Sequence, residues 1–185
     1  MPSPLRHLVL AFLPALVLAA CSQPALPGLH ASPSAYPQAA MGDGCLVGHW
    51  VMTQEALSWE IPGSAPAQLV GGAKATLAIN ADGSAQLNYA GSAPLLGTIG
   101  SKSASLAYQG SLDYQVHAAG HVLTMTQTSG NATSALSLNG VAQAPQPLFD
   151  GGVASLPFSY ACSRSTLKLD ANLGGLDLSE SFHRA

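Results

Sequence analysis

Apolar and polar side chains alternate with a period of two through most of the chain from residue 75 onward. This alternation is typical of strands that bury one face, because successive side chains of a strand point to opposite sides. The alternating apolar positions are Leu77 and Ile79; Ala85, Leu87 and Tyr89; Leu112, Tyr114 and Val116; Leu123 and Met125; Leu136 and Leu138; Leu156, Phe158, Tyr160 and Cys162; Leu167 and Leu169; and Leu176, Leu178 and Phe182. The chain is therefore predicted to be all-β.

Turn residues separate these runs at short intervals. Residues 80–83 read Asn-Ala-Asp-Gly, and Gly83 is suited to the left-handed position that closes a short hairpin. About 8–10 short strands bounded in this way predict an antiparallel barrel or sandwich. A single helical turn is expected at residues 53–58, with Thr53 as its cap. Residues 61–72 and 139–152, rich in Pro, Gly and Ala, are expected to be irregular loops.

The low charge of the chain excludes several classes of function. Charged residues make up 8% of the sequence, against about 25% in an average protein. The six Lys and Arg residues are dispersed along the chain, so they do not form the basic patch that nucleic acids require. We therefore expect no nucleic-acid partner. The high apolar content also argues against disorder throughout the chain.

The N-terminal sequence is typical of a targeting segment. Residues 8–20 are almost wholly apolar but shorter than the ~20 residues of a membrane-spanning helix. The segment ends in Leu18-Ala19-Ala20-Cys21, which resembles the lipobox of bacterial lipoproteins. The resemblance implies that residues 1–20 are a signal peptide and that Cys21 carries the lipid. It also implies an extracytoplasmic domain anchored to a bacterial cell membrane, inner or outer. The alternative is an ordinary cleaved signal followed by a chance cysteine.

Residues 21–44 are predicted to be a disordered tether. They carry prolines at positions 24, 27, 33 and 37 and show no apolar periodicity. A flexible chain of this length spans about 25 to 30 Å, so it would hold residues 45–185, the predicted domain, just clear of the lipid headgroups.

Of the three cysteines, Cys21 follows the predicted signal peptide, whereas Cys45 and Cys162 lie in the predicted domain. If Cys21 is lipidated, Cys45 and Cys162 remain, and in an oxidising compartment a remaining pair most simply forms a disulfide. A pair of buried free thiols is the alternative.

Two further motifs suggest a family. Gly48-His49-Trp50 opens the predicted domain, and Tyr160-Ala161-Cys162-Ser163 is followed by Thr166-Leu167-Lys168-Leu169 near its end. Together with the hairpin at residues 80–83, they resemble the lipocalin-like domains of bacterial lipoproteins. The resemblance implies a lipocalin-like barrel in which Trp50 closes one end and Arg184 lies over the Trp50 ring.

Two groups of residues have spacings found in catalytic or metal sites, but neither is complete. Ser165-Thr166-Leu167-Lys168 has the spacing of a Ser–Lys nucleophile pair, but that chemistry needs both side chains on one face of a helix, whereas these residues are predicted on a strand. His117 and His121 flank a turn without a further ligand to complete a zinc site. We therefore expect no enzyme, no metal and no cofactor.

The inward-facing side chains instead indicate binding. The expected function is non-catalytic binding of an apolar small molecule or envelope component. The candidate ligand-binding residues are Trp50, Tyr89, Tyr114, Phe149 and Phe158. A narrow apolar cleft is expected near Leu148 and Phe149, and its ligand should be uncharged because no Arg or Lys is predicted to face inward. The alternative is a filled barrel that serves as a structural or protein-interaction module.

Overall fold

A computed structural model describes residues 43–60, 63, 65–148 and 154–185. The predicted signal peptide, Cys21, all but the last two residues of the predicted tether, and Phe149 lie outside these ranges. The strands are β1 (Gly48–Trp59), β2 (Ala67–Gly71), β3 (Thr76–Ile79), β4 (Ser84–Asn88), β5 (Leu95–Ile99), β6 (Lys102–Gln109), β7 (Ser111–Ala119), β8 (Val122–Gly130), β9 (Thr133–Leu138), β10 (Val141–Ala142), β11 (Gln146–Pro147), β12 (Ser155–Cys162), β13 (Thr166–Asn172) and β14 (Leu176–Arg184). Within the described residues, no helix is long and apolar enough to cross a membrane.

Eight antiparallel strands close into a barrel, in the order β1-β14-β13-β12-β8-β7-β4-β3. The ring closes where the first half of β1 pairs with β3, with Trp50 opposite Leu77. This architecture confirms the predicted all-β antiparallel barrel. A barrel of about eight strands has an interior that side chains fill or that holds one small ligand.

The remaining strands extend the sheet from the second half of β1. That half pairs with β2, and the order continues through β5, β6 and β9, with β10 and β11 at the edge. We call β2, β5, β6, β9, β10 and β11 the side sheet. The expectation of an irregular loop at residues 61–72 was wrong for its last part, because β2 lies there. β10 and β11 likewise lie within residues 139–152.

The helical turn expected at residues 53–58 was also wrong, because these residues continue strand β1. A bulge lies between Met52 and Gln54, and Thr53 is the additional residue. The Thr53 hydroxyl donates a hydrogen bond of 3.0 Å to the carbonyl of Ser181 on β14. Because a bulge inserts one residue, the buried positions change from Trp50 and Met52 before it to Glu55 after it.

Two apolar cores follow from this arrangement. The barrel core contains most of the apolar residues marked by the alternation, among them Leu77, Ile79, Leu87, Tyr89, Leu112, Tyr114, Leu123, Met125, Phe158 and Tyr160. A smaller core joins Leu57 of β1 to Leu69, Leu95 and Ala104 of the side sheet. Leu136, Leu138 and Leu176 are exceptions among the residues marked by the alternation, because they pack against this smaller core. Leu178 packs against both cores, so the barrel interior and the side sheet meet near this residue.

Two local expectations are confirmed. Gly83 has a φ of 83°, the left-handed conformation predicted for the hairpin turn between β3 and β4. Cys45 and Cys162 form a disulfide with Cα atoms 6.1 Å apart, which ties the turn before β1 to the end of β12. The bond closes a separation of 117 residues.

Candidate functional site

One end of the barrel is sealed by Trp50. The side chain is fully buried, and its indole nitrogen donates a hydrogen bond of 2.9 Å to the carbonyl of Leu46. The guanidinium carbon of Arg184 lies 4.3 Å from the Trp50 ring centroid, so the predicted contact between these residues is present. A cation above an indole face is stabilising.

Each of the three nitrogens of the Arg184 guanidinium also donates to a backbone oxygen. The acceptors are the carbonyls of Arg164 at 2.7 Å, Val47 at 3.1 Å and Cys45 at 2.9 Å. These bonds join the turn before β1 to the end of β14 and to the turn before β13. Because these polar groups bind one another, we interpret the cluster as a structural contact that closes this end of the barrel.

A cavity of about 250 Å³ lies in another part of the interior, where the barrel core meets the side sheet. It is partly open to solvent, and its half-buried rim includes four leucines. The lining residues are Glu55, Leu57, Leu87, Tyr89, Tyr108, Leu112, Tyr114, Met125, Gln127, Leu148, Leu156, Phe158, Leu176, Leu178 and Glu180. The cavity is therefore mostly aliphatic and aromatic, with a few polar groups.

Glu55 is the first of two buried carboxyls in this lining, with 4% of its surface exposed. Burial raises the pKa of Glu55 from its ordinary value of 4.5 to about 7, although a hydrogen bond from Tyr108 opposes the rise. The Tyr108 hydroxyl donates to Oε1 of Glu55 at 3.4 Å. Among the described residues, Oε2 of Glu55 has no hydrogen-bond partner.

Glu180 lies directly opposite Glu55 in the β1–β14 register and is 6% exposed. Opposed side chains in an antiparallel pair have Cβ atoms about 4.5–5.5 Å apart, so the two carboxyls are neighbours. Burial raises the pKa of Glu180 to about 8, and the adjacent Glu55 carboxylate contributes to the rise. The two groups therefore disfavour each other's charge.

Gln127 and three tyrosines complete the polar lining. Nε2 of Gln127 has no hydrogen-bond partner among the described residues, and the side chain is 6% exposed. The rings of Tyr89 and Tyr108 stack at 4.8 Å between centroids with a 38° tilt. Burial raises the pKa of Tyr89, Tyr108 and Tyr114, so these phenols stay neutral in the physiological range.

The predicted ligand-binding residues fall into three groups. Tyr89, Tyr114 and Phe158 come together in the cavity lining. Trp50 lies in the sealed end and is not part of that lining. Phe149 lies outside the described residues, while its neighbour Leu148 is at the cavity rim.

Sequence reasoning missed the polar lining, although part of the signal was present. Glu180 lies between Leu178 and Phe182 on the alternating inward face of β14, and Gln127 follows Leu123 and Met125 in the same way on β8. Strict alternation predicts both residues inside. Glu55 had no such signal, because the bulge at Thr53 shifts the phase of β1.

The residues of the two weak catalytic patterns do not line the cavity. His117 and His121 are exposed, and Lys168 forms an exposed ion pair of 3.0 Å with Asp170 on the outside of β13. Asp43, Cys45 and Cys162 lie close enough to share an ion, but both sulfurs are joined in the disulfide. This group therefore offers no thiolate ligands.

Comparison with known proteins identifies no relative of this chain. No protein-family model, curated protein or solved structure matches this chain.

Proposed function

We propose that this protein is a non-catalytic, lipocalin-like binding protein that holds a small, largely apolar molecule in the barrel cavity. The observation that carries the proposal is the cavity of about 250 Å³ bordered by Tyr89, Tyr114 and Phe158. Binding sites for small molecules are concave, mostly apolar and lined by aromatic side chains with a few polar groups. The cavity has each of these properties.

The size of the cavity limits the ligand. Many ligand pockets measure about 300–1,000 Å³, so this one lies just below the usual range. At about 30 Å³ for each water molecule, it has room for roughly eight waters. A ligand of roughly eight to eleven non-hydrogen atoms, or one end of a larger molecule, fits this space.

Charge limits the ligand further. Among the described residues that line the cavity, none is Lys, Arg or His, whereas two are glutamates. A carboxylate or phosphate ligand would therefore enter an apolar space without a counter-charge and beside acidic groups, which is unfavourable. An uncharged ligand, as expected from the sequence, or a cationic one meets no such penalty.

The alternative function is a structural or interaction module with a filled barrel. A module of that kind needs no internal space, and unmade contacts around a void cost free energy. The cavity and the unpaired polar atoms that border it favour ligand binding over this alternative.

Calorimetric titration with 2-naphthol tests the binding proposal. The full chain is used with Cys21→Ser, which removes the proposed lipid attachment site. We expect a dissociation constant of roughly 10–100 μM at pH 6.5, which requires about 0.5–0.6 kcal/mol for each of the 11 non-hydrogen atoms and lies between the values for very small and drug-sized ligands. Leu156→Trp, which enlarges a half-buried rim residue, should weaken binding at least tenfold.

The matched control is Leu96→Trp. Leu96 is 59% exposed on the side sheet and is not part of the cavity lining, so this substitution should leave the affinity unchanged. Equal effects of the two substitutions would place the naphthol outside the cavity. Absence of binding would favour the interaction-module alternative.

We also propose that a lipid on Cys21 anchors the protein extracytoplasmically to a bacterial cell membrane. The lipobox-like sequence before Cys21 supports this proposal, and the disulfide between Cys45 and Cys162 is typical of an oxidising compartment. Fractionation of cells tests it. Cys21→Ser should move the protein from the membrane fraction to the soluble fraction, and an unchanged distribution would contradict the anchor.

A further inference from the structure

We propose that the ligand of this cavity is a small organic ammonium ion, and that Glu55 and Glu180 together bind its charged nitrogen. This inference rests on the proposed binding function and deepens it by naming the charge of the ligand. The cavity would accept the apolar body of the molecule, and the paired carboxyls would accept its N–H donors.

The first argument is that two buried polar atoms beside the cavity lack hydrogen-bond partners among the described residues. Glu55 and Gln127 both line the cavity, and Oε2 of Glu55 and Nε2 of Gln127 are almost completely buried and lack partners among the described residues. Buried polar atoms in folded proteins are nearly always paired, and exceptions call for an explanation. A donor-rich ligand beside Glu55 supplies the missing bond. The Gln127 amide can rotate to present its oxygen to the same ligand.

The second argument is the missing counter-charge. Glu55 and Glu180 face each other in register, and the one ion pair among the described residues joins Lys168 to Asp170 elsewhere. A carboxyl pair without a cation must hold protons or repel. An ammonium group between the two carboxyls removes both problems at once.

The third argument is the kind of cation that fits. Calcium takes six to eight oxygen ligands, while the apolar walls of this cavity leave two carboxyls and a few amide or phenol oxygens. An ammonium nitrogen needs only two or three acceptors.

The proton equilibrium of the pair predicts the pH dependence. The titratable groups that border the pair are Tyr89, Tyr108 and Tyr114, all neutral near pH 7, so the two carboxyls respond chiefly to each other. Burial raises the pKa of both carboxyls towards neutrality. Ammonium binding should therefore strengthen as pH rises from 5.5 to 8, because the carboxyls then lose the protons that compete with the ligand.

Three probes of one shape test the inference: benzylamine, benzyl alcohol and benzoate. Calorimetric titrations use the full chain with Cys21→Ser at pH 8 and pH 5.5. At pH 8 we expect benzylamine to bind at least about tenfold more tightly than benzyl alcohol, since charged hydrogen bonds are stronger than neutral ones. Benzoate should bind more weakly than the alcohol. The preference for the amine should shrink at pH 5.5.

Substitutions identify the carboxyls. Glu55→Gln and Glu180→Gln should each reduce the amine-to-alcohol ratio to below about threefold while benzyl alcohol still binds, which also shows that each variant is folded. Glu60→Gln is the matched control, because Glu60 is exposed just after β1 and should leave the ratio unchanged.

The remaining outcomes separate the two proposals. Equal binding of the amine and the alcohol to the unsubstituted cavity would overturn the ammonium inference and leave the binding function standing. A preference for the amine that survives both glutamine substitutions would overturn it as well. If none of the three probes binds, both proposals fail.

Discussion

The two halves of strand β1 differ in whether their buried polar atoms have hydrogen-bond partners. Before the bulge at Thr53, Trp50 is buried and hydrogen-bonded, and the Arg184 guanidinium above it has three carbonyl partners. After the bulge, Glu55 is equally buried, but one of its oxygens has no partner among the described residues. The same strand therefore supports a sealed end and an unsatisfied cavity.

The stability of the barrel and its proposed ligand binding depend on different halves of β1. A guanidinium with three backbone partners stabilises the fold, whereas a buried carboxyl without a cation lowers its stability. The proposed ligand would offset the cost of burying Glu55 and Glu180. Substitutions at the two places should change stability with opposite signs.

The disulfide at the sealed end should have the largest effect. It closes a separation of 117 residues, for which the chain-entropy model gives about 4 to 5 kcal/mol. Cys45→Ala combined with Cys162→Ala should lower the free energy of unfolding by up to this amount in denaturant titrations. Thiol titration of the unfolded, unreduced Cys21→Ser chain should find no free sulfhydryl. Two free sulfhydryls would contradict the bond.

Glu55→Gln should instead stabilise the protein, and only at high pH. The pKa of Glu55 rises from 4.5 in the unfolded chain to about 7 in the fold, so the folded state binds more protons between these values and its stability falls as pH increases. Removing the charge should recover roughly 2–3 kcal/mol at pH 9 and almost nothing at pH 4. Denaturant unfolding at both pH values measures this difference.

Glu60→Gln again serves as the control, since that exposed side chain should not change the pH dependence. If Glu55→Gln and the parent chain lose the same stability between pH 4 and pH 9, the carboxyl is solvated and the contrast between the two halves of β1 disappears.

Arg184→Lys should destabilise the sealed end by about 2 kcal/mol. A lysine keeps the charge but not the planar fork that reaches the carbonyls of Val47, Cys45 and Arg164 together. Arg164→Lys is a suitable control, because Arg164 contributes its backbone oxygen and its own side chain is exposed. Similar melting temperatures for the two variants would mean that the guanidinium bonds add nothing.

The sequence predicted the barrel better than the side sheet, for a physical reason. Large side chains such as Leu87 and Phe158 alternate clearly in the barrel strands. In β6 the inward positions begin with Ala104, whose small side chain gives little contrast with the serines beside it. β2 and β5 are short and glycine-containing, so their alternation was not recognised.

The candidate site was predictable only in its apolar part. Tyr89, Tyr114 and Phe158 follow from simple alternation, and Glu180 would have followed from the same rule. Glu55 required the bulge, whose position depends on how β1 leaves β3 to pair with β2. Such a change of partner is a property of the whole sheet and has no local sequence pattern.

The difference in stability between Gly72→Ala and Gly91→Ala should be the smallest of these effects, and it tests how closely the backbone approaches Glu55. Gly72 has a φ of +73°, and an added Cβ would lie 2.7 Å from Cβ of Glu55 and 2.9 Å from Sδ of Met52. Gly91 has nearly the same φ, +75°, but nothing lies within 4 Å of its added Cβ. Both alanine variants pay about 1–2 kcal/mol for the left-handed conformation.

The difference between the two alanine variants therefore isolates the contact with the cavity wall. We expect Gly72→Ala to be less stable than Gly91→Ala by about 1 kcal/mol, because packed interiors relax only partly around an added atom. It should also weaken binding of benzylamine, since Oε2 of Glu55 would lie 3.0 Å from the new methyl group and must move. Equal unfolding free energies and equal amine affinities would show that the wall beside Glu55 is loose. In that case the carboxyl is not held in place for a ligand.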